Sequence, residues 1–132
     1  MLQNTFRRDD VQKFFINHTN HPSAKWSAEQ ISAAKIYGEI KDFPFPIINP
    51  RASTKEVEEL VQANLKKILE LEPCAVLCQG EFNYTFAMVE KLKGLEKKVF
   101  AATSKRISTV ENLSDDSSRQ ISTFRFVKFR EY

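Results

Sequence analysis

The stretch Pro73 to Phe86, PCAVLCQGEFNYTF, constrains this chain more than any other. A short apolar run, Cys74 to Cys78, stops at Gln79-Gly80-Glu81 and gives way to a helix-like segment. That is the pattern of a buried strand handing over to a helix across a tight polar turn. In an open parallel sheet, strand carboxyl ends and the following helix amino ends share one edge, and ligands settle where strand order reverses. Gly80 would let a ligand approach the backbone closely, and Gln79 and Glu81 offer hydrogen-bonding groups beside a helix amino end. A plain strand-to-helix connection would carry the same three residues, and a lone Gln-Gly-Glu does not decide between the two.

The segments around this stretch repeat the alternation. Lys13 to His18 is the first apolar run and the first expected strand, ending in the polar loop Thr19-Asn20-His21-Pro22-Ser23. Ser27-Ala28-Glu29-Gln30 has the form of a capping box and predicts a helix to about Tyr37, with Gly38 as its stop and Ile31, Ala34 and Tyr37 toward the sheet. Glu39 to Ile48 is strand-like, but Pro44 and Pro46 confine it to an edge or make it irregular. Ser53 and Glu56 form a second capping box, and Val57, Leu60, Val61, Leu65, Ile68 and Leu69 recur at helical spacing. After the central stretch, Phe82 to Lys93 reads as a third helix closed by Gly94, with Phe86, Val89 and Leu92 inside. Lys97 to Ala102 is the next strand, running out into Thr103-Ser104-Lys105-Arg106. Ser108 to Gln120 is expected to be a charged, serine-rich loop, and Ile121 to Tyr132 a last strand.

Strands alternating with helices imply an α/β fold, a single Rossmann-like domain over residues 13–132, with a mostly parallel sheet flanked by helices. The final strand follows without a helix, so it pairs antiparallel as a hairpin. A spatial order of 2-1-3-4-5 would put the reversal between the first and third strands, making the Thr19 to Ser23 loop and the Gln79 to Glu81 turn neighbours. Met1 to Gln12 is polar, with little to bury, and reads as a loosely held arm.

Composition limits the function classes. A chain of 132 residues, 42% hydrophobic with eleven Phe, has the material for one core and is not a disordered segment. No apolar run reaches a membrane span and the amino terminus lacks a signal-peptide core, so the expected location is the cytoplasm, away from membranes. A net charge of +3 does not suit tracking of duplex DNA but suits a compact anionic ligand. Cys74 and Cys78 fall on one face of a strand and read as small buried hydrophobes.

The candidate chemistry is positional. A metal site using His18 and His21 would find only Glu81 as a third ligand from another segment, so neither metal nor cofactor is expected. His21 can act as an acid or base, or simply hold its loop. There is no Ser-His-Asp pattern, P-loop or GxGxxG. Asn20, Ser23, Gln79, Thr103 and Ser104 are neutral hydrogen-bonders, Lys105 and Arg106 add positive charge, and such groups bind phosphates and bases. The closing FRFVKFREY interleaves aromatic and basic residues, the pattern of stacking on RNA bases or of an edge strand protected by Arg125, Lys128 and Arg130. Trp26, just before a helix cap, is a core residue or a stacking platform.

Thr19-Asn20-His21-Pro22-Ser23, Gln79-Gly80-Glu81-Phe82, Ala102-Thr103-Ser104-Lys105-Arg106 and the closing Phe124 to Tyr132 segment together resemble the small stand-alone CRISPR-associated proteins with a Rossmann-like (CARF-like) fold, of the type III group that includes ring nucleases. The resemblance covers roughly Phe14 to Tyr132. It implies a homodimer that binds a cyclic oligoadenylate, the four-adenosine ring in particular, in a cleft on its two-fold axis. Some members cleave the ring without a metal, by attack of a ribose 2′-hydroxyl on the adjacent phosphate, and others sequester it. By this resemblance His21 and Arg106 become the candidate catalytic residues. Thr19, Asn20, Ser23, Gln79, Gly80, Glu81, Thr103, Ser104 and Lys105 become the candidate ligand-binding set. Three readings stand: a ring nuclease, a non-catalytic sponge or sensor, and an unrelated small nucleotide-binding or protein-interaction domain.

Overall fold

The computed structural model describes residues 13–132, so the arm expected over Met1 to Gln12 lies outside the described residues. The chain runs β1 (Phe14–His18), a 3₁₀ turn (Ser23–Lys25), α1 (Ala28–Lys35), β2 (Glu39–Asp42), α2 (Thr54–Glu70), β3 (Pro73–Cys78), α3 (Phe82–Gly94), β4 (Lys98–Asn112) and β5 (Ser118–Glu131). The fold is α/β, with one mixed five-stranded sheet in the order β2-β1-β3-β4-β5. The first three pairings are parallel and β4 with β5 is antiparallel.

Strand alternation divides the core into two layers. Ile16, Val76, Cys78 and Val99 face α2 and α3, meeting Val57, Val61, Leu65, Ile68, Tyr84, Met88 and Leu92. Phe15, Ala75, Leu77 and Phe100 face the other way, onto Ala34 of α1 with Trp26, Tyr37 and Phe129 at the margin. Cys78 is buried and Cys74 half-buried, both as free thiols.

Helix starts follow the sequence signals. Ser27 Oγ accepts from the Gln30 N–H at 3.2 Å. Ser53 and Glu56 form the reciprocal box, with bonds of 3.1 and 3.0 Å. Gly38 has φ +137°, and a Cβ there would sit 2.2 Å from the Lys13 carbonyl oxygen, so only glycine serves this stop. Gly94 does not close α3: it is the last helical residue, and Glu96 beyond it takes φ 60°, as Glu72 takes φ 52° after α2. A left-handed glutamate is strained by its Cβ. Glu72→Gly and Glu96→Gly are each expected to stabilise the protein by about 0.5–1 kcal/mol, read as a higher urea midpoint at unchanged m-value.

Three further expectations are corrected. The second strand lies at the edge of the sheet, as its prolines predict, but closes at Asp42 and does not reach Ile48, although Phe43 and Phe45 still donate N–H bonds to the Asn17 and Thr19 carbonyls. Pro44 and Pro46 occupy the alternate positions, where an edge strand tolerates a missing donor. Phe86 is 69% exposed, and Tyr84, Met88, Val89 and Leu92 form the inner face of α3. That helix is rotated so that the Tyr84 hydroxyl reaches buried polar partners. The third correction is the largest: Thr103 to Arg106 is not a loop. β4 and β5 pair continuously out to Asn112 and Ser118, leaving only residues 113–117 as a turn. Both faces of this ribbon are solvated beyond the sheet, so its strands carry the polar composition of a loop.

Candidate functional site

β1 and β3 end side by side, and their outgoing segments open on the edge where strand order reverses. The Gln79 N–H donates to the His18 carbonyl at 3.4 Å. Pairing of β3 with β4 stops at Leu77 and Phe100, and Gln79 then replaces the missing strand: its Oε1 accepts from the Ala102 N–H at 2.6 Å.

The first loop is assembled by buried side chains. Asn17, 1% exposed, donates through Nδ2 to the His21 carbonyl (2.9 Å) and to Asp42 Oδ1 (3.0 Å), and its Oδ1 accepts from the Thr19 hydroxyl at 2.8 Å. Asp42 also accepts from the Ser23 N–H at 3.2 Å. The Trp26 indole N–H donates to the His21 carbonyl at 3.0 Å, while its ring meets Phe15 edge-on at 6.2 Å and lies 6.4 Å from Phe129.

These elements enclose a cleft of about 590 Å³, a volume suited to a small-molecule ligand. Of the residues singled out above, Thr19, His21, Gln79, Thr103 and Ser104 line it, together with Trp26. Pro22, Ala102, Phe124 and Phe126 also line it and come from segments already singled out, the last two from the aromatic and basic run that reads as a stacking surface; Lys25, Ser27, Gln30 and Leu77 are the contributors that reasoning from sequence missed. The spacing of Phe124 and Phe126, two apart on a strand and therefore on one face, was the signal available for the aromatic wall.

The remaining expected site residues lie elsewhere. Asn20 is exposed on the loop beside the lining, and Ser23 sits at the start of the 3₁₀ turn. Glu81 caps α3, accepting from the Tyr84 N–H at 2.8 Å. Gly80 serves packing: a Cβ there would fall 2.3 Å from Cζ of Phe45. Arg106 stands opposite Phe124 on the cleft side of the ribbon, its Nη2 donating to Ser122 Oγ at 3.1 Å. Lys105 is one residue away and so projects from the opposite face. Thr103 also bridges a bulge, its Oγ1 donating to the Lys128 carbonyl at 3.0 Å and accepting from the Lys128 N–H at 3.2 Å.

His18 is not part of this cleft. It is fully buried, with Nδ1 2.7 Å from the Phe43 carbonyl and Nε2 2.7 Å from the Tyr84 hydroxyl, which in turn accepts from Asn64 Nδ2 at 3.0 Å. A carbonyl only accepts, so Nδ1 carries the proton, Tyr84 donates to Nε2, and the neutral ring is fully satisfied. Burial holds the His18 pKa below its ordinary value, against the opposing pull of the Phe43 carbonyl. The unfolded state therefore binds a proton more readily than the folded one. His18 stabilisation is present above about pH 6.5 and is lost as pH falls below it, with a slope of up to about 1.4 kcal/mol per pH unit. Urea midpoints between pH 8 and pH 5 should fall along this course, and an NMR titration should show the His18 ring still neutral where an unstructured histidine is half charged.

The chemistry on offer is stacking and hydrogen bonding. Trp26, Phe124 and Phe126 present aromatic surface, with Gln30, Gln79, Ser27 and Ser104 as donors and acceptors and Lys25 as a cation. Burial pushes the Cys78 thiol up to about 12, so it is no nucleophile. Among the described residues no group of three His, Cys, Asp or Glu side chains is arranged to hold a metal ion. Nor, among them, is any helix long and apolar enough to cross a membrane.

A family model, that of the Uncharacterized protein MJ1673 family, matches residues 13–130. The chain belongs to this family. The match begins one residue before β1 and ends one residue before the close of β5, so it takes in all but the last residue of the sheet and every residue of the cleft. No curated protein matches the chain, and no solved structure does. The family's description assigns no activity, so a functional reading rests on the site itself.

Proposed function

We propose that the cleft binds adenine bases and phosphates of a cyclic oligoadenylate, cyclic tetra-adenylate in particular, on a Rossmann-like (CARF-like) domain acting in type III CRISPR signalling in the cytoplasm. The observation that carries this reading is the aromatic wall of Trp26, Phe124 and Phe126 beside a polar rim at the edge where strand order reverses. Stacking holds a base without needing a charged partner, and Gln30, Gln79 and Ser104 suit its edges. The motifs quoted above supply the ring form of the ligand. A two-fold symmetric ring fits a homodimer in which each protomer contributes one cleft.

Cleavage is the more demanding version. His21 would take the proton of the attacking 2′-hydroxyl, and Arg106 would stabilise charge on the phosphate. A specific observation favours the sponge or sensor instead: Glu81 caps a helix, Gln79 holds β4, Thr103 holds the bulge and Arg106 is bonded to Ser122. Glu81, Thr103, Arg106 and the Gln79 Oε1 are engaged by the scaffold, which leaves the Gln79 amide N–H groups for a ligand, and none of these bonds reaches His21.

The deciding experiment incubates the full chain with radiolabelled cyclic tetra-adenylate in EDTA and runs native and denaturing gels in parallel. A shifted band with linear product supports a metal-independent ring nuclease, and a shift with the ring intact supports a sponge or sensor. Absence of both removes the proposal and leaves a general nucleotide-binding or protein-interaction domain. Phe124→Ala is the cleanest variant, because the ring is 71% exposed and truncation costs the core nothing. Loss of about 1–3 kcal/mol of stacking should weaken binding roughly 5- to 150-fold.

A further inference from the structure

The closing segment FRFVKFREY does more on the folded ribbon than line the cleft. Simple alternation along β5 would place Phe124, Phe126, Lys128 and Arg130 on one face. The register instead shifts between Thr103 and Ser104: Thr103 pairs with Lys128, and Ser104 with Phe126, so that Val127 is the extra residue of a bulge. One added residue reverses the parity. Phe124, Phe126 and Phe129 come to share the cleft face, and Arg125, Lys128 and Arg130 share the other. The Thr103 hydroxyl fastens the bulge through both of its bonds to Lys128.

The second face is a line of uncompensated positive charge. Arg130, Lys128 and Arg125 follow one another along β5, and Lys105 lies directly opposite Arg125. All four are exposed. Among the described residues the ribbon's ion pairs are Lys98 with Glu131 and Arg119 with Glu111, and neither involves these four. Lys105 and Arg125 as cross-strand neighbours disfavour the ribbon. Cations on an edge strand also deter edge-to-edge pairing, and an anionic partner laid along the row would relieve the repulsion between Lys105 and Arg125.

We propose that this face binds the phosphate backbone of a single strand of nucleic acid. Arg130 and Lys128, as successive same-face positions, are ~6.8 Å apart, and Arg125 follows across the bulge with Lys105 beside it, which sets the positive charges in file along the outer part of the ribbon. That arrangement complements one row of phosphates, whereas a duplex presents two rows across a groove. Among the described residues no strand pairs with the outer edge of β5, so none crosses the row along its length. This proposal rests on the bulge and the charges, and stands whether or not the cleft on the opposite face takes a cyclic nucleotide.

Fluorescence anisotropy of the full chain with a labelled single-stranded 20-mer, as RNA and as DNA, tests it. Four contacts predict log K falling against log salt with a slope near ~−3. Arg125→Glu with Lys128→Glu should weaken binding at least about tenfold and flatten that slope, while the same reversal at Lys55 and Lys66, exposed on α2, leaves both within about twofold. Binding of either strand type with this behaviour supports the proposal. No binding at about 50 mM salt, binding that ignores the charge reversals, tighter binding of the 20-base-pair duplex, or equal competition by polyglutamate overturns it.

Discussion

Tyr84→Phe should lower the unfolding free energy by roughly 2–4 kcal/mol, although it deletes a single oxygen. That oxygen sits at the centre of a buried chain, donating to His18 Nε2 at 2.7 Å and accepting from Asn64 Nδ2 at 3.0 Å. His18 is fully buried and Asn64 is 8% exposed, so neither can turn to water when the hydroxyl is removed. The cost comes from two orphaned polar groups and exceeds the worth of either bond alone. Asn64→Leu in the same background removes one orphan and should recover part of the loss. Urea denaturation of the four proteins of this cycle measures it. A Tyr84→Phe variant within about 0.5 kcal/mol of the parent would show that the network contributes no stability.

Phe45→Ala should cost about 3–5 kcal/mol and, less obviously, should make Gly80→Ala harmless. The Phe45 ring is 6% exposed and held between His18 at 5.3 Å and Tyr84 at 4.8 Å. A Cβ on Gly80 would stand 2.3 to 2.6 Å from three of its ring carbons. With the ring in place and boxed in by neighbours, Gly80→Ala is overpacking and should cost about 1–3 kcal/mol. With the ring gone the methyl enters the space it left. Equal penalties for Gly80→Ala in both backgrounds would place the cause in the turn's backbone and contradict the packing account.

The same residue shows how a correct inference about position can carry the wrong cause. Gly80 reads in sequence as room for a ligand, because a glycine between a strand and a helix is the usual place for close approach. The partner that approaches is Phe45, 35 positions away, and only the path of the chain past Pro44 and Pro46 brings it there. Arg106 differs in kind: alternation along β4 from Ala102 through Ser104 puts it on the cleft side of the ribbon, but only the bulge at Val127 brings Phe124 and Phe126 to that same face, and the bulge is invisible in a string of alternating residues.

What the sequence determined alone is the local and the periodic. The capping serines, the apolar stripe of α2, the buried run of β3 and the order of elements depend on neighbours within a turn or two, and right-handed crossovers then leave few topologies to choose from. The cleft edge followed from that topology, and five of the eleven expected site residues line it. Tertiary structure decided which face of α3 turns inward, how far β4 extends, and which polar groups are free to meet a ligand. Each is settled by a partner distant in sequence: Tyr84 by His18 and Asn64, β4 by its ladder with β5, and Gln79 by the Ala102 amide. Buried polar groups must be paired and strand register must match along its length, and neither condition can be evaluated until the chain has folded back on itself.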